Sequence, residues 1–511
     1  MWLYFLSILA VPLLVTIGLV GMRIYRSKKN LKFFKEQGIP TFYYTKGAFS
    51  LLNRNLPENL KNSNLEIFKK IYREYSEQKA FAFNRIDSDM CYILFSKEST
   101  CRDLLLKEEN FHKITVDKAA SKYFGLFYQN GDESIKSRAF FADAFNYEKQ
   151  SNFNISVAAM IDRLIKEFAV QNSINSENYT KVSLNPLMNG ILERIMNIFV
   201  FGQEEIRLTA SGLSVYESIH KIYDLFSVLR TNPLYTLFNS LVVKYKLLHG
   251  IREAAKTRQE VLDVIKALYA EREKTGKIGD CALDRMIMHN IKCKQNNQTQ
   301  DLISDEDLVG SVFLFHFAGS DTSQTVVKST LCGMANREDL KQMFDTINSD
   351  VFDKKGLPIK ERLESNISLN LWVKEALRRY NPIARLVPRL AIKDCTLDGV
   401  RIRKGDVVVI DFTALYFNEN YFPKSEEFLI DRFTTEKEKA LPRYQFVPFG
   451  FGKRICLGRN LGELMTKLIT CSFCRYFDFR KPANHEYYTF NLILNAEAYP
   501  LVEARIKQSG S

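Results

Sequence analysis

The 511-residue chain lacks a disulfide framework. Its nine cysteines (Cys91, Cys101, Cys281, Cys293, Cys332, Cys395, Cys456, Cys471 and Cys474) are odd in number and scattered, unlike a bridge-stapled secreted domain, and point to a reducing compartment. Cys471 and Cys474 form a lone C-x-x-C in an apolar helical pattern, which reads as core rather than as a redox or zinc pair. No internal repeat and no long Pro/Ser-rich linker is present, so the chain reads as one large, mainly helical fold with an appendage. The signatures of zinc fingers, RRM domains and helix-turn-helix proteins are missing, which argues against nucleic acid as a partner. The net charge of +13 reads otherwise: 72 basic residues are dispersed among 59 acidic ones, as on a solvated surface drawn to an anionic membrane face and an acidic partner. Gly450-Phe451-Gly452-Lys453 lacks both the spacing of a phosphate-binding loop and a preceding strand.

Charge is also missing from Met1 to Met22. At about 1.5 Å per residue a helix of this length crosses an apolar layer of about 30 Å, which predicts a single transmembrane anchor. Arg23, Arg26, Lys28, Lys29 and Lys32 follow at once, and a positive flank stays on the cytosolic side. A cleavable signal would carry a basic start and a small-residue cleavage site, and neither is present. The reading divides the chain into an anchor (1–22), a basic flank and hinge (23–45) bending at Gly38-Ile39-Pro40, a body (46–506) and a short tail (507–511).

Within the body, amphipathic helical stretches alternate with short polar gaps such as Asn172 to Asn178, and Cys91 to Phe95 reads as a strand. The polar tract Lys294 to Gln300 belongs in a loop. Val400-Arg401-Ile402 and Val407 to Ile410, around Lys404-Gly405-Asp406, read as a short hairpin. The expected class is mainly α with small β-sheets.

Three constellations carry chemistry. The first is Phe449-Gly450-Phe451-Gly452-Lys453-Arg454-Ile455-Cys456-Leu457-Gly458, a glycine-rich turn leading into an apolar helix. Backbone N–H groups and the helix dipole there favour a charged sulfur on Cys456, and Arg454 adds a fixed cation suited to a carboxylate. The second begins at Ser304-Asp305-Glu306-Asp307, a capping-box variant opening a helix to about Ala335. Its middle, Phe317-Ala318-Gly319-Ser320-Asp321-Thr322-Ser323, places a glycine and an acid–alcohol pair between apolar turns. A helical glycine costs about 1 kcal/mol against alanine, and a threonine hydroxyl competes for the carbonyl one turn back and can open a local gap. The third is Glu375-Ala376-Leu377-Arg378, an i,i+3 pair on a helix ending near Tyr380. Taken singly, a buried cysteine, a glycine-kinked core helix and a solvated ion pair would account for each.

Together these segments resemble the cytochrome P-450 family. Phe449, Gly452, Arg454, Cys456 and Gly458 match its haem-binding loop, Gly319-Ser320-Asp321-Thr322 is similar to its distal-helix motif, and Glu375 with Arg378 matches its Glu-x-x-Arg pair. The resemblance extends over about Gly38 to Ile506. It implies a cytochrome P-450 fold with haem b between the distal helix and the Cys456 loop, Cys456 as axial iron ligand, and Arg454, Arg389 and Arg138 toward the propionates. It further implies that Thr322 hydrogen-bonds the bound dioxygen, that Asp321 relays protons, and that Arg432 joins Glu375 and Arg378 in a structural cluster. One departure stands out: the family's Trp-x-x-x-Arg reads Ser134-Ile135-Lys136-Ser137-Arg138 here, so Arg138 is kept, the tryptophan is absent and Lys136 is a candidate substitute. A second is Gly462 in place of alanine.

The implied activity is insertion of one oxygen atom of O2 into a hydrophobic substrate such as a lipid, sterol, fatty acid or xenobiotic. Electrons come from NADPH through NADPH–cytochrome P-450 reductase, with cytochrome b5 as a further candidate donor, at the endoplasmic reticulum membrane. The rival readings are a peroxide-rearranging haem-thiolate isomerase or dehydratase, and a non-catalytic haem sensor. Phe313 and Phe317 could line the substrate cavity or pack in the core. Arg385 could meet an acidic substrate group, a propionate or a surface partner.

Overall fold

The structure, a computed structural model, describes residues 2–44, 80–85, 90–106, 108–114, 125–142, 144–145, 153–229, 232, 235, 241–383, 388–483 and 500–507. The helices that build the site are α1 (Trp2–Lys35), α2 (Gly131–Ala142), α3 (Asn185–Phe201), α4 (Val215–Leu229), α5 (His249–Thr275), α6 (Asp305–Met334), α7 (Ile367–Arg379) and α8 (Arg459–Tyr476). The strands are β1 (Thr41–Tyr44), β2 (Ala80–Arg85), β3 (Cys91–Phe95), β4 (Phe111–Lys113), β5 (Thr180–Ser183), β6 (Arg389–Ala391), β7 (Cys395–Leu397), β8 (Val400–Ile402), β9 (Val407–Ile410), β10 (Phe477–Arg480) and β11 (Leu501–Ile506).

The charge boundary after Met22 does not end a helix: α1 runs on through the basic flank to Lys35. Its far end is part of the body. Leu31 and Phe34 are buried, Asn30 bonds Asn84 on β2, and Arg403 lies 4.3 Å over the Phe33 ring. Gly38, at φ 74°, and Pro40 then turn the chain into β1. Among the described residues no helix is long and apolar enough to cross a membrane.

The larger sheet has the order β1-β2-β3-β9-β6-β4, a second joins β10, β11 and β5, and β7 pairs β8. The hairpin expected between Val400–Ile402 and Val407–Ile410 is not formed. β8 turns back on β7 through Asp398-Gly399, both at positive φ, which suits a two-residue turn of the primed type. β9 is buried along its whole length and enters the large sheet parallel to β3, the place for an apolar run that must be covered on both faces.

Helix α6 threads the middle of the helical layer against α3, α4, α5 and α8. Ser304 caps it, its Oγ accepting from the Asp307 amide at 3.2 Å and donating to Asp307 Oδ2 at 2.6 Å. The helix then runs unbroken to Met334. Asn366 caps α7 in the same way, accepting from the Leu369 amide at 2.9 Å. Cys471 and Cys474 are buried inside α8.

Candidate functional site

The Cys456 loop is shaped by its glycines and closed by backbone bonds. Gly450 and Gly452 sit at φ 76° and 70°, a region that disfavours any side chain, and a Cβ on Gly452 would lie 3.3 Å from the Leu105 carbonyl oxygen. The Gly450 amide donates to Val447 at 2.8 Å and the Cys456 amide to Phe449 at 2.9 Å, so the thiol is presented by a fixed frame just ahead of α8. A Cβ on Gly462 would lie 3.9 Å from the Phe449 ring, so glycine and alanine both fit there. Cys456 is accessible, yet the protein around it desolvates it. Burial pushes the thiol up; the Gly458 N–H, Arg138 and Lys113 pull the other way and are outweighed. The Gly458 N–H acts in the sense expected of the loop, and desolvation is the larger influence.

Arg138 and Lys113 act on this thiol, and Arg389 and Arg454 join Arg138 around Lys113. Arg138 on α2 donates to the Ile455 carbonyl. Arg454 donates to the Gln129 carbonyl at 2.9 Å, to Ser134 Oγ, and to Asn130 Oδ1 at 3.5 Å. Asn130 in turn clamps the Lys113 backbone at both N–H and C=O, at 2.8 and 3.1 Å. Arg389 opens β6 and is buried, directly opposite Lys113 in the β4–β6 pair. Burial first, then Arg389, Arg454 and Arg138, hold the Lys113 ammonium well below the usual lysine range, while the Cys456 thiol acts oppositely.

At the position of the missing tryptophan, Ser134 is a buried hydroxyl that accepts from Arg454. Lys136 is exposed, and Lys113 adds a further basic side chain from another element. An accessible cysteine sulfur with Arg138 and Lys113 acting on it, and Arg389 and Arg454 gathered about Lys113, is a donor set that fits an iron macrocycle bearing carboxylates.

On α6 the accessible face is at Ala318, exposed in mid-helix, and Thr322, half-buried one turn on. The Thr322 hydroxyl donates to the Ala318 carbonyl at 2.7 Å without opening the helix. Gly319 has another cause: a Cβ there would lie 2.5 Å from Met196 Sδ on α3, so glycine permits the close approach of two helices. Asp321 lies one helical step of about 100° from Thr322 and faces α4, where His220 Nε2 stands 2.9 Å from its Oδ1. Phe313 is only 1% exposed and packs in the core. Phe317 is half-buried, its ring 5.1 Å from that of Tyr223. Arg385 lies outside the described residues.

The structure brings Glu375, Arg378 and Arg432 together in full burial. Arg378 donates to both carboxylate oxygens at 2.8 Å and Arg432 Nε to Oε1 at 3.2 Å, with the Leu429 amide completing the set at 2.9 Å. Lys113 and His220 are the two site residues that sequence reasoning missed. Neither sits in a motif, and each gains its neighbours only through sheet register or helix packing.

A family model described as Cytochrome P450 matches residues 56–497. Curated relatives include cytochrome P450 3A12 of Canis lupus familiaris, 29% identical over 214 residues, 41% of this chain and 42% of the relative. Cytochrome P450 3A15 of Cavia porcellus is 24% identical over 294 residues, 55% and 57% of the two chains. The chain thus spans about half the length of these relatives. Cytochrome P450 3A9 of Rattus norvegicus is 24% identical over 404 residues, 77% of this chain and 76% of the relative.

Proposed function

Because the chain belongs to the cytochrome P450 family, we propose that it is a haem-thiolate monooxygenase acting on a small hydrophobic substrate. The observation that carries this reading is the accessible Cys456 thiol, fixed by backbone bonds, with Arg138 and Lys113 acting on it and Arg389 and Arg454 gathered about Lys113. Haem b held by these residues would supply dioxygen activation, and a thiolate ligand would favour O–O cleavage.

The chain's own residues do the rest. Cys456 Sγ would hold the metal, and Arg138, Arg389, Arg454 and Lys113 would hold the carboxylates. Phe449 and Gly452 fix the loop against α8 and the Leu105 backbone. Ala318 leaves room beside the Thr322 hydroxyl, which orients the oxygen substrate, and Asp321 holds and moves the proton that the reaction consumes. Glu375, Arg378 and Arg432 do no chemistry; they pin α7 to the segment that precedes the loop. Electrons come from NADPH through a reductase or cytochrome b5. Met1–Met22 anchors the chain in the endoplasmic reticulum membrane with the body in the cytosol, a placement suited to a substrate drawn from lipid.

A difference spectrum of the reduced protein with carbon monoxide tests the ligand. A red-shifted Soret band that is lost in Cys456→Ala is expected. Protein that stays colourless after supplementation with hemin, or keeps its absorption unchanged in Cys456→Ala, overturns the reading.

A further inference from the structure

Asp321 does not turn toward Thr322. Its Oδ1 lies 2.9 Å from His220 Nε2 and accepts from Gln324 Nε2 at 3.2 Å. The other ring nitrogen of His220, Nδ1, lies 2.9 Å from the Tyr216 carbonyl oxygen. A carbonyl oxygen only accepts, so Nδ1 carries a hydrogen; an ionised carboxylate also only accepts, so Nε2 carries one too. The geometry is that of an imidazolium on a carboxylate. The same proton count also describes a neutral imidazole beside a protonated Asp321, with one hydrogen shared between Nε2 and Oδ1.

Of this pair, His220 stands in the wall of a solvent-open cavity of about 740 Å3 between α3, α4, α5 and α6, lined also by Gln324 and Lys328 among others, and Asp321 lies behind it. A second branch runs from the same cavity: Lys328 donates to Asn185 at 2.8 Å and to Gln324 Oε1 at 3.0 Å, and Gln324 donates to Asp321. The Thr322 hydroxyl, by contrast, is turned into its own helix at Ala318. Asp321 therefore loads on one side of α6 and is needed on the other.

We propose that His220 is the positioning residue of the proton relay: it takes a proton from solvent in this cavity, passes it from Nε2 to Asp321 Oδ1, and thereby frees the acid to turn toward Thr322. The inference rests on the monooxygenase reading for the place where the proton is consumed. The Nε2–H bond breaks as the Oδ1–H bond forms, an ion pair becomes two neutral groups, and the imidazole regains its proton from solvent. No electron moves.

The charged and titratable groups around His220 are Tyr216, Glu217, Lys221 and Asp224 on its own helix, Glu193 on α3, His249 and Glu253 on α5, and Asp321, Lys328 and His316 on α6. Burial opposes the imidazolium, but Asp321, the Tyr216 carbonyl and Asp224 outweigh it and leave His220 above the usual histidine value. Removing the Asp321 charge takes away the largest of the raising influences and so lowers His220.

The test uses the full-length holoenzyme labelled with 13C-histidine. With six histidines in the chain, single His→Gln variants assign the ring resonances. His220 is expected to titrate above about 6.5 in the unaltered protein and distinctly lower in Asp321→Asn. In His220→Gln, hydrogen peroxide released per NADPH consumed is expected to rise several-fold and to lose its pH dependence, while the carbon monoxide spectrum stays as in the unaltered protein. A His220 titration unmoved by Asp321→Asn, or a peroxide yield and pH profile unchanged in His220→Gln, overturns the proposal. Absence of the thiolate-type band from the unaltered protein would instead overturn the monooxygenase reading, and the His220 titration would still report on the pair.

Discussion

Changing Glu375 to glutamine keeps the shape of the side chain and removes its charge. The carboxylate accepts four hydrogen bonds, two from Arg378, one from Arg432 and one from the Leu429 amide, and it is 0% exposed beside an Arg378 that is also 0% exposed. Both guanidiniums are further fixed on carbonyl groups, Arg378 on Tyr416 and Arg432 on Lys424, so neither can swing out to water when the acid is lost. Stranding buried charge in this way costs about 3–5 kcal/mol, which is about a hundred- to several-thousand-fold in the folding equilibrium at about 1.4 kcal/mol per decade.

An internal control lies one residue from Arg432. Asp431 pairs with Lys437, but the two side chains are 61% and 57% exposed, and such a pair contributes at most about 1 kcal/mol. Urea denaturation of the holoenzyme, followed by intrinsic fluorescence and extrapolated linearly, compares the two directly. Glu375→Gln should lower the midpoint sharply and Asp431→Asn should barely move it. Equal shifts would show that burial does not magnify this ion cluster, and the reasoning would fail.

Two further outcomes follow from buried groups that the chemistry leaves idle. His316 is fully buried with neither ring nitrogen hydrogen-bonded, and burial, then His220, hold its pKa down to about 3. Its folded value thus lies below its unfolded value of about 6.5, so the unfolded chain binds a proton that the folded one refuses. Stability falls as pH drops from about 6.5 toward 3, by up to about 1.4 kcal/mol per unit, and His316→Leu should flatten that part of a urea-midpoint series; identical slopes would refute it. Gly333→Ala would place a Cβ 2.0 Å from Tyr380 Oη and 2.9 Å from its Cζ. Despite a gain of about 1 kcal/mol in helix propensity, overpacking of about 1–3 kcal/mol should leave a net loss, partly recovered by Tyr380→Phe; a stabilised Gly333→Ala would contradict this.

What the sequence discloses is what short-range physics decides. Ser304 and its acidic first turn mark the start of α6, and the end expected near Ala335 falls at Met334, because caps and helix periodicity are local. Cys91–Phe95 is a strand as read, since a short, partly aromatic apolar run has few alternatives. The 400–410 segment misleads for the opposite reason. Gly405 does turn the chain, at φ 94°, but Val407–Ile410 finds a better-covered place beside β3, and Asp398-Gly399 is the turn that makes the hairpin. Glu375 and Arg378 are legible at i,i+3 spacing, whereas the contributions of Leu429 and Tyr416 depend on a chain path that no motif spells out. The direction of the Cys456 shift is hidden as well, because helix-end electrostatics is visible in sequence and desolvation is not.

Lys113 shows how a broken local rule marks the site. Like charges directly opposite in a sheet are destabilising, by roughly 0.2–1 kcal/mol where they are solvated, and burial sharpens the repulsion. Yet Lys113 faces Arg389 across β4 and β6, with Arg454 and Arg138 acting on it in the same sense. Among the described residues several buried charges are paired: Glu375 has two arginines, Arg272 has Asp284, and Arg403 has Asp406. The gathering of Arg389, Arg454 and Arg138 about Lys113 is the kind of local conflict expected at a functional site. An anionic cofactor bound there would turn mutual repulsion into shared attraction, and because it would bind the folded chain alone, it would return stability by mass action.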